Sequence, residues 1–175
     1  LDWRTTRQPI VLADWPMTYR PEARAFTTVM SWKTDVKPPL LDGVAYGGKD
    51  LEFTRFADLP GRTPTPLEIA VAGRAPTEDL EARGWRIVDA ASRSTTMDVY
   101  RDYLAASRGE WSVAKQAYAA TRSGWFSCRT ACYLALGKPA VVQDTGFRAF
   151  YPTGDGLFAF SSVDEAVSAL AAVES

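Results

Sequence analysis

Short apolar runs rich in β-branched residues alternate with stretches of helical periodicity along almost the whole chain, and this alternation limits the fold more than any other feature. Phe26-Thr27-Thr28-Val29-Met30 reads as a strand, and Leu67, Ile69 and Val71 alternate as a second. Arg86-Ile87-Val88, Trp111-Ser112-Val113-Ala114, Ala140-Val141-Val142 and Leu157-Phe158-Ala159-Phe160 complete the set. Between them, Asp50 is placed to cap a helix with Phe53, Phe56 and Ala57 on one face, stopped by Leu59-Pro60. Pro76 to Arg83 forms a short helix closed by Gly84, and Met97, Tyr100 and Leu104 stripe the next. Cys128, Ala131, Cys132 and Ala135 share a face of a helix that ends at Gly137, with Pro139 behind it. Ser162 and Glu165 form a capping box opening a last helix, whose Val163, Ala166, Val167 and Leu170 face inward. Strands and helices at this spacing require right-handed crossovers. The expected fold is α/β: a Rossmann-like three-layer domain with a mainly parallel sheet of about six strands.

At 175 residues the chain suits one domain. Residues 1–24 carry Pro9, Pro16 and Pro21 with Trp3 and Trp15 between them, and read as an extended lead-in or interdomain segment. The domain proper is expected over 25–175. A net charge of -1 offers no field for nucleic acid or an anionic membrane, although 20 Lys and Arg leave room for a local phosphate pocket. The sequence shows no signal-peptide pattern and no apolar run of membrane-spanning length. Cys128 and Cys132 form no disulfide framework, so the expected setting is a reducing cytoplasm, with both thiols in the core. Two cysteines without histidine make no metal site. The absence of histidine leaves acid–base chemistry to a carboxylate or to another domain.

In an open parallel sheet, ligands bind beyond the carboxyl ends of the strands. The rule nominates loops beginning at Ser31, Gly73, Asp89, Lys115 and Asp144. The densest polar and glycine-rich segment spans Ser107-Arg108-Gly109-Glu110, Lys115 and Arg122-Ser123-Gly124-Trp125-Phe126-Ser127-Cys128-Arg129-Thr130. Ser127 is a candidate N-cap whose helix start offers free amides to an anion. Arg129, in the first turn, either clamps that anion or extends into water. Lys115 meets a diphosphate or is an ordinary surface lysine, and Glu110 binds sugar hydroxyls or pairs with Arg108. Asp144-Thr145-Gly146 shapes the pocket or simply turns the chain. Ser31 and Trp32 are outlying candidates, Trp32 either stacking on a ring or packing in the core.

Gly124-Trp125-Phe126-Ser127, a helix of about ten residues, and Ala135-Leu136-Gly137-Lys138-Pro139-Ala140-Val141-Val142-Gln143-Asp144-Thr145-Gly146 together resemble the donor-nucleotide segment of retaining GT-B glycosyltransferases. Gly156-Leu157-Phe158-Ala159-Phe160 with Glu165-Ala166-Val167 is similar to that family's next strand and helix. The likeness runs from Ser107 to about Val173, and more loosely back to Phe26. The Ser-Arg-Gly-Glu and Arg-Ser-Gly-Trp-Phe-Ser blocks look like those of a bacterial glycosyltransferase-like group. The two glutamates of the best-known members are replaced by Ser123 and Cys132, so their sugar and ribose contacts do not carry over.

The resemblance implies a nucleotide-diphosphate sugar as substrate, no separate cofactor, and an N-terminal partner domain that supplies the acceptor site and most catalytic groups. A chain beginning at Leu1 and ending beside a helix suits one half of such an enzyme, inactive alone. The implied donor-binding set is Arg108, Gly109, Glu110, Lys115, Ser123, Gly124, Trp125, Phe126, Ser127, Arg129, Thr130, Asp144 and Thr145, with no catalytic residue assigned. Two alternatives stay open. One is a non-catalytic GT-B-like module for binding or assembly; the other is a nucleotide-sugar epimerase of the same fold.

Overall fold

β1, Phe26–Ser31, lies at the centre of the sheet, and its six residues pair in parallel with all six of β4, Leu67–Ala72. The computed structural model describes residues 7–33 and 38–174. Between β1 and β4 lie a small antiparallel ribbon, β2 (Leu40–Leu41) and β3 (Val44–Ala45), and helix α1, Lys49–Thr54. Helix α2, Thr77–Ala82, leads to β5, Arg86–Asp89, and α3 (Ala90–Arg93) and α4 (Met97–Ala105) lead to β6, Gly109–Ser112. Helices α5 (Gln116–Ala120) and α6 (Cys128–Ala135) precede β7, Ala140–Gln143; β8 (Leu157–Phe160) and α7 (Val163–Glu174) close the chain. The sheet has six strands in the order β5-β4-β1-β6-β7-β8, and every neighbouring pair is parallel. The chain winds outward from β1, returns beside it at β6 and winds outward again. This is the Rossmann-like three-layer α/β fold. No helix among the described residues is long and apolar enough to cross a membrane.

Side-chain alternation sorts the two faces. Phe26, Met30, Leu67, Ile69, Trp111 and Val141 point to one side, against Phe53 of α1, Phe56 just after it, Leu80 of α2 and Leu170 of α7. Trp111 stacks on Phe160 with centroids 5.7 Å apart and packs against Trp85 at 5.1 Å. The other side carries Val29 under Leu104 of α4, Tyr133 of α6 and Leu136 at the end of that helix. Trp15 of the lead-in segment joins this second cluster, edge-on to Tyr100 at 6.2 Å. Trp3, read with it as a packing aromatic, lies outside the described residues.

Several expectations are corrected. The fourth strand is Gly109–Ser112, not 111–114. A glycine and a charged residue read as loop, but Gly109 is there because the strand is crowded. A Cβ on it would lie 2.5 Å from the Pro139 carbonyl oxygen and 2.8 Å from the Phe26 ring. Gly109→Ala therefore overpacks the core and costs about 1–3 kcal/mol in urea denaturation. The N-cap of α1 is Gly48, and Asp50 sits in the first turn. Helix α6 buries Thr130 and Tyr133, leaving Cys128 exposed and Cys132 half-buried, so the face that carries the cysteines is not the one turned to the core. Met97 is exposed on α4. The last capping box is shifted: the Glu165 amide donates to Ser162 Oγ at 3.2 Å, but Glu165 Oε2 accepts from the Ser161 amide.

Candidate functional site

The strand order reverses between β1 and β6, and these two strands are registered over only two residue pairs, Phe26 with Gly109 and Thr27 with Glu110. Beyond Thr27 and Glu110 their carboxyl ends lack further paired residues, so a crevice opens at the switch point, where a doubly wound sheet takes its ligand. Two lobes, of about 320 and 300 Å3, occupy it. The first lies toward β7 and is lined by Ser112, Tyr118, Trp125, Ser127, Thr130 and Gln143, among others. The second lies toward β1, against Val29, Met30, Ser31 and Trp32. Lys49, Lys115 and Arg129 line both.

Arg129 reaches into the split. Its Nε donates to Glu110 Oε1 at 2.7 Å and its Nη1 to the Val29 carbonyl at 2.9 Å. The Glu110 side chain is 0% exposed and that of Arg129 11%, which excludes both the water-facing arginine and the Arg108–Glu110 bridge. Burial lowers the arginine pKa, but the charge and hydrogen bond of Glu110 more than offset this, and Arg129 stays firmly protonated. Glu110 Oε2 is buried without a hydrogen-bond partner among the described residues. With this carboxylate committed to Arg129, the two lysines have no countercharge in the crevice, because no Asp or Glu lines either lobe among the described residues.

The amino end of α6 supplies further donors. Ser127 is its N-cap without a side-chain cap bond, and Ser127, Arg129 and Thr130 all line the first lobe. The first intrahelical bond runs from the Ala131 amide to the Ser127 carbonyl at 3.2 Å, so the amides of residues 128–130 have no partner within the helix. The loop before it is fastened to the turn after β7. The Gly124 amide donates to the Thr145 carbonyl at 2.8 Å, and Thr145 Oγ1 to the Trp125 carbonyl at 2.6 Å. Gly124 has φ 73°, where a side chain would be strained. Trp125 stacks on Tyr118 at 4.9 Å, and the Lys115 ammonium lies 5.7 Å from the Tyr118 ring.

A second relay ties the lysines' supports together. Gln143 Oε1 accepts from the Ala114 amide at 3.0 Å, and its Nε2 donates to Glu52 Oε2 at 2.6 Å. Glu52, on α1, also receives Arg55 at 2.6 Å. The Ala114–Lys115 turn and the helix bearing Lys49 are thereby coupled.

Burial pulls the Lys49 pKa well below its ordinary 10.5; Arg129 and Lys115 add to this, and Glu110 opposes it. The depressed value has a defined sign. Between the folded value and 10.5, Lys49 is neutral when folded and charged when unfolded. Its contribution to stability is present above 10.5 and lost as pH falls through the folded value. A bound anion favours the charged amine, so binding takes up a proton in that window and weakens as pH rises through it. Calorimetry in buffers of different ionisation enthalpy checks this, and Lys49→Met should abolish the uptake.

The structure thus gathers Lys115, Trp125, Phe126, Ser127, Arg129, Thr130 and Thr145 at one lobe and Ser31 and Trp32 at the other, with Glu110 behind. Trp32 is also a core residue, 5.1 Å from Phe53. Ser123 and Gly124 shape the loop, Ser123 Oγ accepting from the Trp125 amide at 3.3 Å. Asp144 holds its own turn, accepting from the Gly146 amide at 2.8 Å and facing Arg148 at 3.4 Å. Arg108 and Gly109 lie at the opposite, amino-terminal rim, where Arg108 donates to the Val173 carbonyl at 3.1 Å and faces Glu174 at 3.4 Å. Lys49, Tyr118 and Gln143 are additions that the sequence reading missed. A lysine after Gly47-Gly48 at the first helix start following β1 was the legible signal for Lys49. No protein-family model matches the chain, and no curated protein matches it.

Proposed function

We propose that the crevice binds the diphosphate of a nucleotide-diphosphate sugar and that the chain is the donor-binding half of a glycosyltransferase. One observation carries this reading: Lys49, Lys115 and Arg129 converge at the β1/β6 switch point beside the free amides of α6, with a single committed carboxylate among them. Charge-assisted bonds from such groups suit a diphosphate. The lobes to either side leave space for the nucleoside and the sugar. No histidine or carboxylate lines the lobes among the described residues, which fits a half-site whose proton-transfer groups come from another domain. The same feature weighs against an epimerase, which needs an acid and a base at the sugar.

Titration of the full-length protein with UDP, GDP and their sugars, followed by calorimetry, tests the proposal. Binding is expected, with affinity falling as ionic strength rises. Failure of every nucleotide to bind at low salt would sink it. Ser123 and Cys132, standing where the resembling family carries glutamates, favour a second reading as a non-catalytic binding module. That module would bind nucleotide or glycan in the full-length protein and release no sugar from any donor.

A further inference from the structure

Lys49 stands where an ammonium ion is poorly accommodated. It is the first residue of α1, after the uncapped Gly48, so a positive charge there meets the positive end of the helix. Arg129, Lys115 and the amino end of α6 border the same two lobes. The carboxylates nearby are engaged elsewhere. Glu110 holds Arg129 at 2.7 Å, and Glu52 holds Arg55 and Gln143, each at 2.6 Å. Asp50, next in sequence, lines a neighbouring hollow and neither lobe of the crevice. The Lys49 side chain has no hydrogen bond or ion pair among the described residues. Burial and the two neighbouring cations outweigh the opposing pull of Glu110, which holds the amine toward its neutral form.

A diphosphate must first return a proton to such an amine. A carbonyl carbon, by contrast, is attacked by the neutral form, and desolvation beside a second cation is how nucleophilic lysines are activated. Lys115 is placed differently: its ammonium lies 5.7 Å from the Tyr118 ring, which favours the charged form. Arg129 uses Nε and Nη1 on Glu110 and Val29, and its Nη2 makes no bond among the described residues. Lys115 and Nη2 of Arg129 are thus left to hold an oxyanion beside the amine. Lys49, Lys115 and Arg129 meet in the lobe toward β1, whose 300 Å3 or so suits a small molecule.

We propose that Lys49 forms an imine with a small aldehyde that carries a phosphate or carboxylate group, the anion lying on Lys115 and Arg129. The nitrogen lone pair adds to the carbonyl carbon, the carbon–oxygen π bond opens, and a proton passes from nitrogen to that oxygen through solvent. The carbinolamine then loses its hydroxyl with the remaining nitrogen proton as water, leaving a carbon–nitrogen double bond. No oxidant or reductant is consumed. Protonation of the imine restores a positive charge, which the bound anion balances as no group of the empty crevice does. This reactivity goes beyond the nucleotide reading and shares with it only the groups that hold the anion.

The test incubates the full chain near neutral pH with glyoxylate, with glyceraldehyde 3-phosphate, or with propionaldehyde as an aldehyde without an anion. Borohydride then fixes each imine as a secondary amine for peptide mapping. At least one anionic aldehyde is expected to modify Lys49 about ten-fold faster than any of the other four lysines, the gain given by one charged hydrogen bond. Propionaldehyde should show a smaller preference for Lys49, and inorganic pyrophosphate should suppress the Lys49 adduct while sparing the rest. Lys115→Met, checked for folding by circular dichroism, should cut the preference of the anionic aldehyde for Lys49 about ten-fold. The inference is overturned if label spreads evenly over the lysines, if propionaldehyde favours Lys49 as strongly, or if pyrophosphate gives no protection. Trapping at Lys49 in a protein that binds no nucleotide would overturn the nucleotide reading alone, and UDP binding without trapping would overturn this inference alone.

Discussion

Replacing Glu110 with glutamine is expected to lower the unfolding free energy by about 3–5 kcal/mol, the cost of breaking a buried ion pair from one side. Glu110 lies in β6 with its side chain fully buried, and its Oε1 accepts from Arg129 Nε at 2.7 Å. Glutamine keeps the shape but removes the charge, leaving a guanidinium whose side chain is only 11% exposed without its counterion. The double variant Glu110→Gln/Arg129→Met removes both charges and should regain most of the loss, since a buried pair is often no more stabilising than apolar side chains of similar volume. Urea denaturation followed by tryptophan fluorescence separates the cases, with midpoints moving and slopes unchanged. The double variant should be folded and yet bind UDP poorly. A change below about 1 kcal/mol in the single variant would mean that the pair is well solvated, contrary to its burial.

The contrast between Gly109 and Gly124 shows what the sequence could convey. Both fall in the glycine-rich segment that reads as loop. Gly124 is a loop residue, at φ 73° beside Trp125. Gly109 is a strand residue pressed against Pro139 and Phe26. Propensity cannot distinguish the two, because the cause of Gly109 is a contact made across the sheet. The layered fold was legible because its signal is periodic and repeated: β-branched runs end at turn residues and helices follow them. Strand order was not, since the return from β5 to a position beside β1 leaves no local mark. That return is what makes the site. It brings Lys49, from the first crossover, to Lys115 and Arg129, which follow β6. Arg129 drew notice from its place at a helix start, while its partner Glu110 was read as binding sugar hydroxyls or pairing with Arg108, because the gap that admits the guanidinium exists only between strands distant in sequence.

The Lys49→Met/Lys115→Met variant should lose about 3 kcal/mol of affinity for UDP, roughly 100-fold, if each ammonium makes one charged hydrogen bond to the diphosphate. Methionine retains most of the aliphatic stem, so packing along the crevice wall is little disturbed. Stability should hold or rise. Burial and the neighbouring cations disfavour the charged form of Lys49, and removing both ammonium groups relieves that repulsion around Arg129. Loss of binding together with undiminished stability distinguishes a ligand site from a structural cluster, which would weaken the fold as well. The salt dependence supplies an independent check. With two ammonium groups gone, the residual affinity should respond less steeply to ionic strength than the parent's. If the variant binds UDP as tightly as the parent, the diphosphate does not lie between these lysines, and the convergence of cations at the switch point needs another explanation.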